Sequence, residues 1–353
     1  MDLSRWLAMP SQVEAQVARW QHDHPALITV DSITQHTGHR VFALTVGAAE
    51  KSQDKHHGRT ATTHGENSFH SKLPGKSAFF CVPHAHEPAG TAAIMDVIHL
   101  LLTGHDLAGQ PAAFDYRAAR ERLTLTFNPD ANPGGRTFAP VVWWDGSRYT
   151  NDEFWAWMRG LDAETGLMWK RVARWSLKDE HPLRRGIVYE QLNDHEFVEP
   201  NRDPGSSLVR LFRRNDARYH YSRAMHLHQT EFVNSPHNCM INLPVLQSEL
   251  SPHIQEANLN WGQAVIARWR ALSGTPDVAG VEISPVPEPR GFPYVRDTQT
   301  TQWFRDCWGE AQQRVPEIVV EVHNNNPRTP PEAQLALERT AILLTIEQLL
   351  GET

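Results

Sequence analysis

"SAFFCVPHAHEPAGTAAIMDVIHLLLTG", residues 77–104, decides the architecture of this chain. "SAFFCVP" is an apolar run of strand length, and a short polar turn follows it. From Gly90 apolar residues recur at helical spacing until Gly104 supplies the stop. "RLTLTF", residues 122–127, then reads as a second buried strand. Strand, helix and strand in that order make a βαβ unit, whose crossover sets both strands parallel in one sheet. Open α/β sheets bind ligands beyond the carboxyl ends of their strands, and His84 and Glu87 fall at such an end.

Working outward, Val13, Val17 and Trp20 mark a helix over residues 11–22 that Pro25 ends, and "LITVDSI" (27–33) and "VFALTVG" (41–47) read as strands. Residues 48–76 are polar, His-rich and without period, which predicts a surface loop of solvated histidines. Residues 140–195 are rich in Trp and charge, with "NDEFWAWMRGL" (151–161) a helix; they show no separate core pattern and read as an elaboration around the sheet. Beyond them, "SRAMHLH" (222–228) and "EIVVEVH" (317–323) are strands. "SPHIQEANLNWGQAVIARWRAL" (251–272) and "PPEAQLALERTAILLTIEQLL" (330–350) are helices. No internal repeat stands out. The expectation is one α/β domain over 1–353, with a mixed, largely parallel twisted sheet flanked by helices on both faces.

Composition narrows the function. With 353 residues the chain buries a substantial core without staples, and a net charge of −7 supplies no basic field for nucleic acid or anionic lipid. Three sparse cysteines, one of them (Cys81) in an apolar run, predict no disulfide framework and a reducing compartment. "MDLSRWLAMPSQVEAQ" has no basic segment followed by an apolar stretch, and no run of about 18 apolar residues occurs. A cytoplasmic protein without membrane or nucleic-acid partners is expected, active without proteolytic trimming.

His-x-x-Glu is a weak signal in a chain with 20 histidines, and it occurs three times, at His84/Glu87, His228/Glu231 and His253/Glu256. The third lies on a helix and reads as a solvated pair. The first differs, because a tight turn between strand and helix aims an imidazole and a carboxylate at one point. Zinc takes neutral His nitrogen and carboxylate oxygen, and catalytic zinc sites use three protein ligands. "AMHLHQTEF" offers His226 and His228, which face the same side of a strand; the second is nearer the carboxyl end. Proton transfer at such a site needs a further group, and Glu321 stands inside an otherwise apolar strand, where a lone carboxylate is costly unless compensated. A buried salt bridge would account for Glu321 equally well. Glu317, at the strand's start, is expected to be exposed.

These pieces, in this order and over nearly the whole chain, resemble the zinc carboxypeptidases of the carboxypeptidase A type. That family begins with a helix and a Pro before its first strand, as "VARWQHDHPALITV" does; its His-x-x-Glu turn is matched by His84 and Glu87, and its Asn-Pro-Asp-Gly segment by "FNPDA" (127–131), with Ala131 in place of Gly. Its carboxylate-holding Asn-Arg pair is matched by Asn201 and Arg202, its third ligand by His228 in "HLHQ", and its general-base glutamate by Glu321 in "VVEVHN".

The resemblance implies one Zn2+ per chain on His84, Glu87 and His228, with Glu321 as general base and Asn201 and Arg202 on the substrate carboxylate. It implies an oxyanion-polarising Arg after a Trp, for which Arg171 in "MWKRVARW" is chosen over Lys170 by charge type, and a mobile tyrosine, nearest to Tyr294 in "RGFPYVRD". His86 stands where digestive members often carry Arg, and Asp306 falls near their side-chain pocket, which favours a basic terminal residue, although a helix-surface charge accounts for Asp306 equally well. The activity implied is a metallocarboxypeptidase acting on peptides. An N-acyl amino acid amidohydrolase of the aspartoacylase or succinylglutamate desuccinylase kind, or a catalytically silent binding protein, is the alternative.

Overall fold

A computed structural model describes residues 5–47, 76–231, 238–272 and 298–351. Seven strands form the main sheet: β1 (Ile28–Thr34), β2 (Arg40–Gly47), β3 (Ser77–Cys81), β4 (Thr124–Asn128), β8 (Arg223–Thr230), β9 (Cys239–Asn242) and β10 (Glu317–His323). Their spatial order is β1-β2-β4-β3-β8-β10-β9. The four central strands, β4, β3, β8 and β10, are mutually parallel, and antiparallel pairings with β2 and β9 flank them. The expected mixed sheet with a parallel centre is the observed one. Every residue of β3 is buried, as both faces of a parallel strand must be.

Alternation along these strands sorts the side chains. Phe80, Met225, Leu227, Ile318 and Val320 face one large core, covered by α1 (Pro10–Asp23), α2 (Pro88–Thr103), α7 (Pro252–Ala271) and α9 (Pro331–Gly351). Phe79, Cys81 and Ala224 face the other side, where Phe212 of α6 (Ser207–Tyr219) and Trp308 of α8 (Thr298–Gln312) pack. Helices therefore cover both faces. In register on that second side, Cys81 stands beside His226 and His226 beside Val319; one row further toward the carboxyl ends, His228 stands beside Glu321.

α2 starts at Pro88, two residues before Gly90, because Pro at the first helical position lacks only a hydrogen that has no partner there. Glu87 is thus its N-cap, and Gly104, at φ 86°, is its left-handed C-cap. The two short helices α3 (Tyr116–Arg122) and α4 (Pro133–Arg136) flank β4.

The stretch 140–195 holds α5 (Asn151–Arg159) and the short strands β5 (Arg174–Ser176) and β6 (Glu190–Gln191), which join β7 (Glu196–Val198) in a small sheet of order β5-β7-β6. Its aromatics do form satellite cores, one around Trp169, Trp175, Tyr189 and Phe197 and another around Trp144, Phe154 and Ile187. Irregular spacing in such short elements leaves no period to read. The second cluster includes Ala85, so the elaboration packs directly on the His84–Glu87 turn.

One expectation is overturned, and others fall outside the described residues. Glu317 is buried, 4% exposed, because α7 and α8 cover the start of β10: Asn258 accepts its backbone N–H and Gln312 Nε2 donates to its carboxylate. Asp306 is an exposed charge on α8, held by Gln302 Nε2 at 2.6 Å. Residues 48–75, and with them nearly all of the His-rich loop, and Tyr294 lie outside the described residues. The three cysteines are buried and free. Among the described residues no helix is long and apolar enough to cross a membrane.

Candidate metal centre

The turn after β3 is clamped before any ion is considered. Asn128 and Ala131 of the "FNPDA" segment bond to Val82 through backbone contacts of 3.0 Å, and Asn128 Nδ2 donates to Phe42 O at 2.7 Å. Arg136, 1% exposed, donates from Nη1 to Ala85 O at 2.7 Å, and Asn324 Nδ2 donates to His86 O at 3.2 Å. The backbone carrying His84, His86 and Glu87 is therefore held on both sides.

On this turn, three donor atoms from two parts of the chain converge. His84 Nδ1 lies 2.9 Å from Glu87 Oε1, His228 Nδ1 lies 3.0 Å from that same oxygen, and the two ring nitrogens are 3.2 Å apart. All three residues are at most 6% exposed. The ligands of a tetrahedral ion with bonds of about 2.0–2.2 Å stand roughly 3.3–3.5 Å apart, so the triangle fits a small divalent cation. The donors of His84, His86 and Glu87 also lie within 4.8 Å of one another, a looser grouping. The first triangle is tighter and draws on two strand ends. His226, one row back, packs on Trp308 with ring centroids 4.6 Å apart, and its nearest carboxylate is Glu317 at 3.9 Å.

Glu199 is the residue that sequence reading does not single out. It is fully buried; its Oε1 accepts from His84 Nε2 at 2.7 Å and lies 3.4 Å from Arg171 Nη2, while its Oε2 lies 2.5 Å from Arg202 Nε. A carboxylate only accepts, so Nε2 carries a proton toward Glu199 and, in the protein without an ion, Nδ1 carries one toward Glu87; a cation at the triangle would take the place of the second. A carboxylate behind a histidine in this way fixes the tautomer a metal needs and raises its basicity. The available signal was position: Glu199 stands two residues before Asn201.

Electrostatics follow from these contacts. Burial by itself would raise the Glu199 carboxyl, but the Arg171 and Arg202 guanidiniums outweigh it and hold the group well below the ordinary range. Burial would likewise lower His84, yet Glu87 and Glu199 carry it up to about 9 in the protein without an ion. A cation held at the triangle would take the place of the Nδ1 proton that this charge reflects. Burial keeps His228 below its usual value, hence neutral, despite Glu87.

Glu321 is half-buried, shares the sheet face of His228, and is pushed up to about 8, first by burial and then by the charge of Glu87. Its Oε2 has no hydrogen-bond partner among the described residues. Arg171 Nη2 lies 3.3 Å from His84 Nε2; Tyr189 holds that segment by donating to Lys170 O at 2.9 Å and accepting from Val172 N at 3.3 Å. Asn201 Oδ1 is 3.2 Å from His84 Nε2, and the Arg202 guanidinium lies near the Trp303 and Phe304 rings. Thus His84, Glu87, His228, Arg171, Asn201 and Arg202 come together, with Glu321 facing them from β10.

No protein-family model and no curated protein matches the chain. Solved structures do. A carboxypeptidase A from Helicoverpa armigera aligns at TM-score 0.54 and 12% identity, covering 99% of this chain and 75% of that one. A metallo-carboxypeptidase from Burkholderia cenocepacia aligns at 0.52 and 15% identity, over 96% and 69%. One from Pseudomonas aeruginosa, in complex with (2-guanidinoethylmercapto)succinic acid, aligns at 0.51 and 12% identity, over 96% and 69%. At such identities the likeness speaks for architecture, and it extends over nearly every residue: this chain has the metallo-carboxypeptidase fold.

Proposed function

We propose that the protein is a zinc-dependent carboxypeptidase that hydrolyses the amide bond preceding a free terminal carboxylate of a peptide. The observation that carries this reading is the donor triangle of His84 Nδ1, Glu87 Oε1 and His228 Nδ1, with separations of 2.9–3.2 Å at the carboxyl end of a parallel sheet. Zinc bound there would supply a Lewis acid that brings the pKa of water to about 7.

The protein's own residues then divide the remaining work. Glu321, raised by burial and without a partner on one oxygen, is suited to accept the proton of the attacking water and return it to the leaving amine. Arg171 supplies positive charge beside the centre for the developing oxyanion. Arg202, with a planar fork that can grip both oxygens of a carboxylate, and Asn201 would bind the substrate's terminus.

The test is a panel of peptides with free or amidated C-termini, together with N-acyl amino acids, offered to zinc-loaded protein. Release of the terminal residue from free-carboxylate peptides alone is expected, and cleavage only of N-acyl amino acids would replace the peptidase assignment. Glu321→Gln should lower kcat/KM by about a thousandfold while leaving zinc affinity unchanged. An unaltered rate removes Glu321 from the mechanism.

A further inference from the structure

His86 sits inside this centre with nothing to do. The residue is 2% exposed and its ring lies against that of His84, centroids 5.2 Å apart and planes 13° apart. Its Nε2 is 3.6 Å from Glu87 Oε1, the oxygen that His84 and His228 share, and its Nδ1 is buried with no hydrogen-bond partner among the described residues. The ring is not there because a loose loop happens to bring it: the carbonyls on either side of it, Ala85 O and His86 O, are the ones gripped by Arg136 and Asn324. Phe154 closes the far side, edge-on at 5.9 Å.

A buried imidazole nitrogen without a partner costs about 1–3 kcal/mol in lost hydration. A phenylalanine or leucine at this position would avoid that cost and pack as well against Phe154. A cation near Glu87 Oε1 changes the balance, because the nitrogen facing it then becomes a donor. The distance of 3.6 Å from His86 Nε2 to Glu87 Oε1 falls close to the spacing of roughly 3.3–3.5 Å between ligands of one ion, and the donors of His84, His86 and Glu87 lie within 4.8 Å of one another.

We propose that His86 is a third imidazole donor to the ion of this centre, so that four side chains and not three hold it at rest. The inference rests on the metal-centre reading above and deepens it. Four protein ligands are the mark of closed zinc sites, whereas catalytic ones keep a position open. His86 would therefore act as a displaceable cap that tightens metal retention and yields its place when substrate enters.

X-ray absorption on the zinc- or cobalt-loaded wild-type protein decides this without any variant, since the number of imidazoles per ion is three under the proposal and two without it. In His86→Phe the count should fall by one, and zinc affinity, measured by competition with a chromophoric chelator, should weaken by about a hundredfold, the upper end of what loss of an outer-sphere partner does. His86→Gln, which keeps a polar group of similar reach, serves if the Phe variant does not fold. Two imidazoles in the wild type, with affinity in either variant unchanged, overturns the role of His86 and leaves the centre intact. A wild-type protein that takes up no ion, or His228→Ala with an unchanged imidazole count, fails the underlying reading instead.

Discussion

At the scale of single residues, the centre is governed by carboxylates taken out of water, and each finds a different compensation. Glu199 is compensated by two guanidiniums and a histidine, and it sets the proton of His84. Glu199→Gln keeps an acceptor but removes the charge, so zinc affinity should fall by about 10–100-fold, as read by chelator competition; an unchanged constant would mean that Asn201 alone orients His84. Glu317 accepts a hydrogen bond from Gln312, and burial outweighs it, pushing the carboxyl up to about 8. Because the native state holds this proton more firmly than the unfolded chain, the stability it contributes is full below the unfolded value near 4.3 and is lost as pH rises toward 8. Each pH unit in that window costs about 1.4 kcal/mol, and Glu317→Gln should flatten the decline of urea midpoint between pH 5 and about 8. Equal slopes in both proteins would show that Glu317 titrates normally.

At the scale of elements, the position of α2 sets the position of Glu87. Gly90, in its first turn, lies so close to the sheet that an added Cβ would stand 2.8 Å from Val82 Cγ2 and 3.1 Å from Leu227 Cβ. Gly90→Ala should therefore destabilise by about 1–3 kcal/mol through overpacking, outweighing the better helix propensity of Ala. Moving the helix moves its N-cap, so the same variant should bind zinc more weakly; denaturant unfolding and chelator competition report the two effects separately. A variant as stable as the parent would show that Val82 and Leu227 yield to the extra methyl. The strands and long helices around this unit are legible because their apolar periods are unbroken, as in "EIVVEVH", which is β10 residue for residue. α6 and α8 are less so, since α6 carries four arginines among its 13 residues and α8 interleaves Thr, Gln and Arg with its aromatics. Both are recognisable only from the buried Phe212 and Trp308 they place on the sheet.

For the whole molecule, the candidate ligands come from neighbouring central strands that are distant in the chain: His84 follows β3 and His228 lies on β8, separated in sequence by 144 positions. An ion that binds only when these meet stabilises the folded state as a whole. At a thousandfold excess over its dissociation constant zinc should add about 4 kcal/mol, raising the apparent Tm by several degrees, and a chelator should reverse the shift. His228→Ala should show almost none of it, and a full shift in that variant would place the binding elsewhere. The elaboration over 140–195 belongs to this scale too, because it delivers Arg171 to the centre and packs Phe154 beside Ala85.

The order of strands and helices, the buried parallel centre and the pairing of His84 with Glu87 in one turn were determined by local sequence, because hydrophobic period and capping act over a few residues. The burial of Glu317, the exposure of Asp306 and the role of Glu199 behind His84 were decided only by tertiary structure. Each depends on which surface another element brings against the residue, and that contact arises between segments too far apart in the chain for any local pattern to encode it.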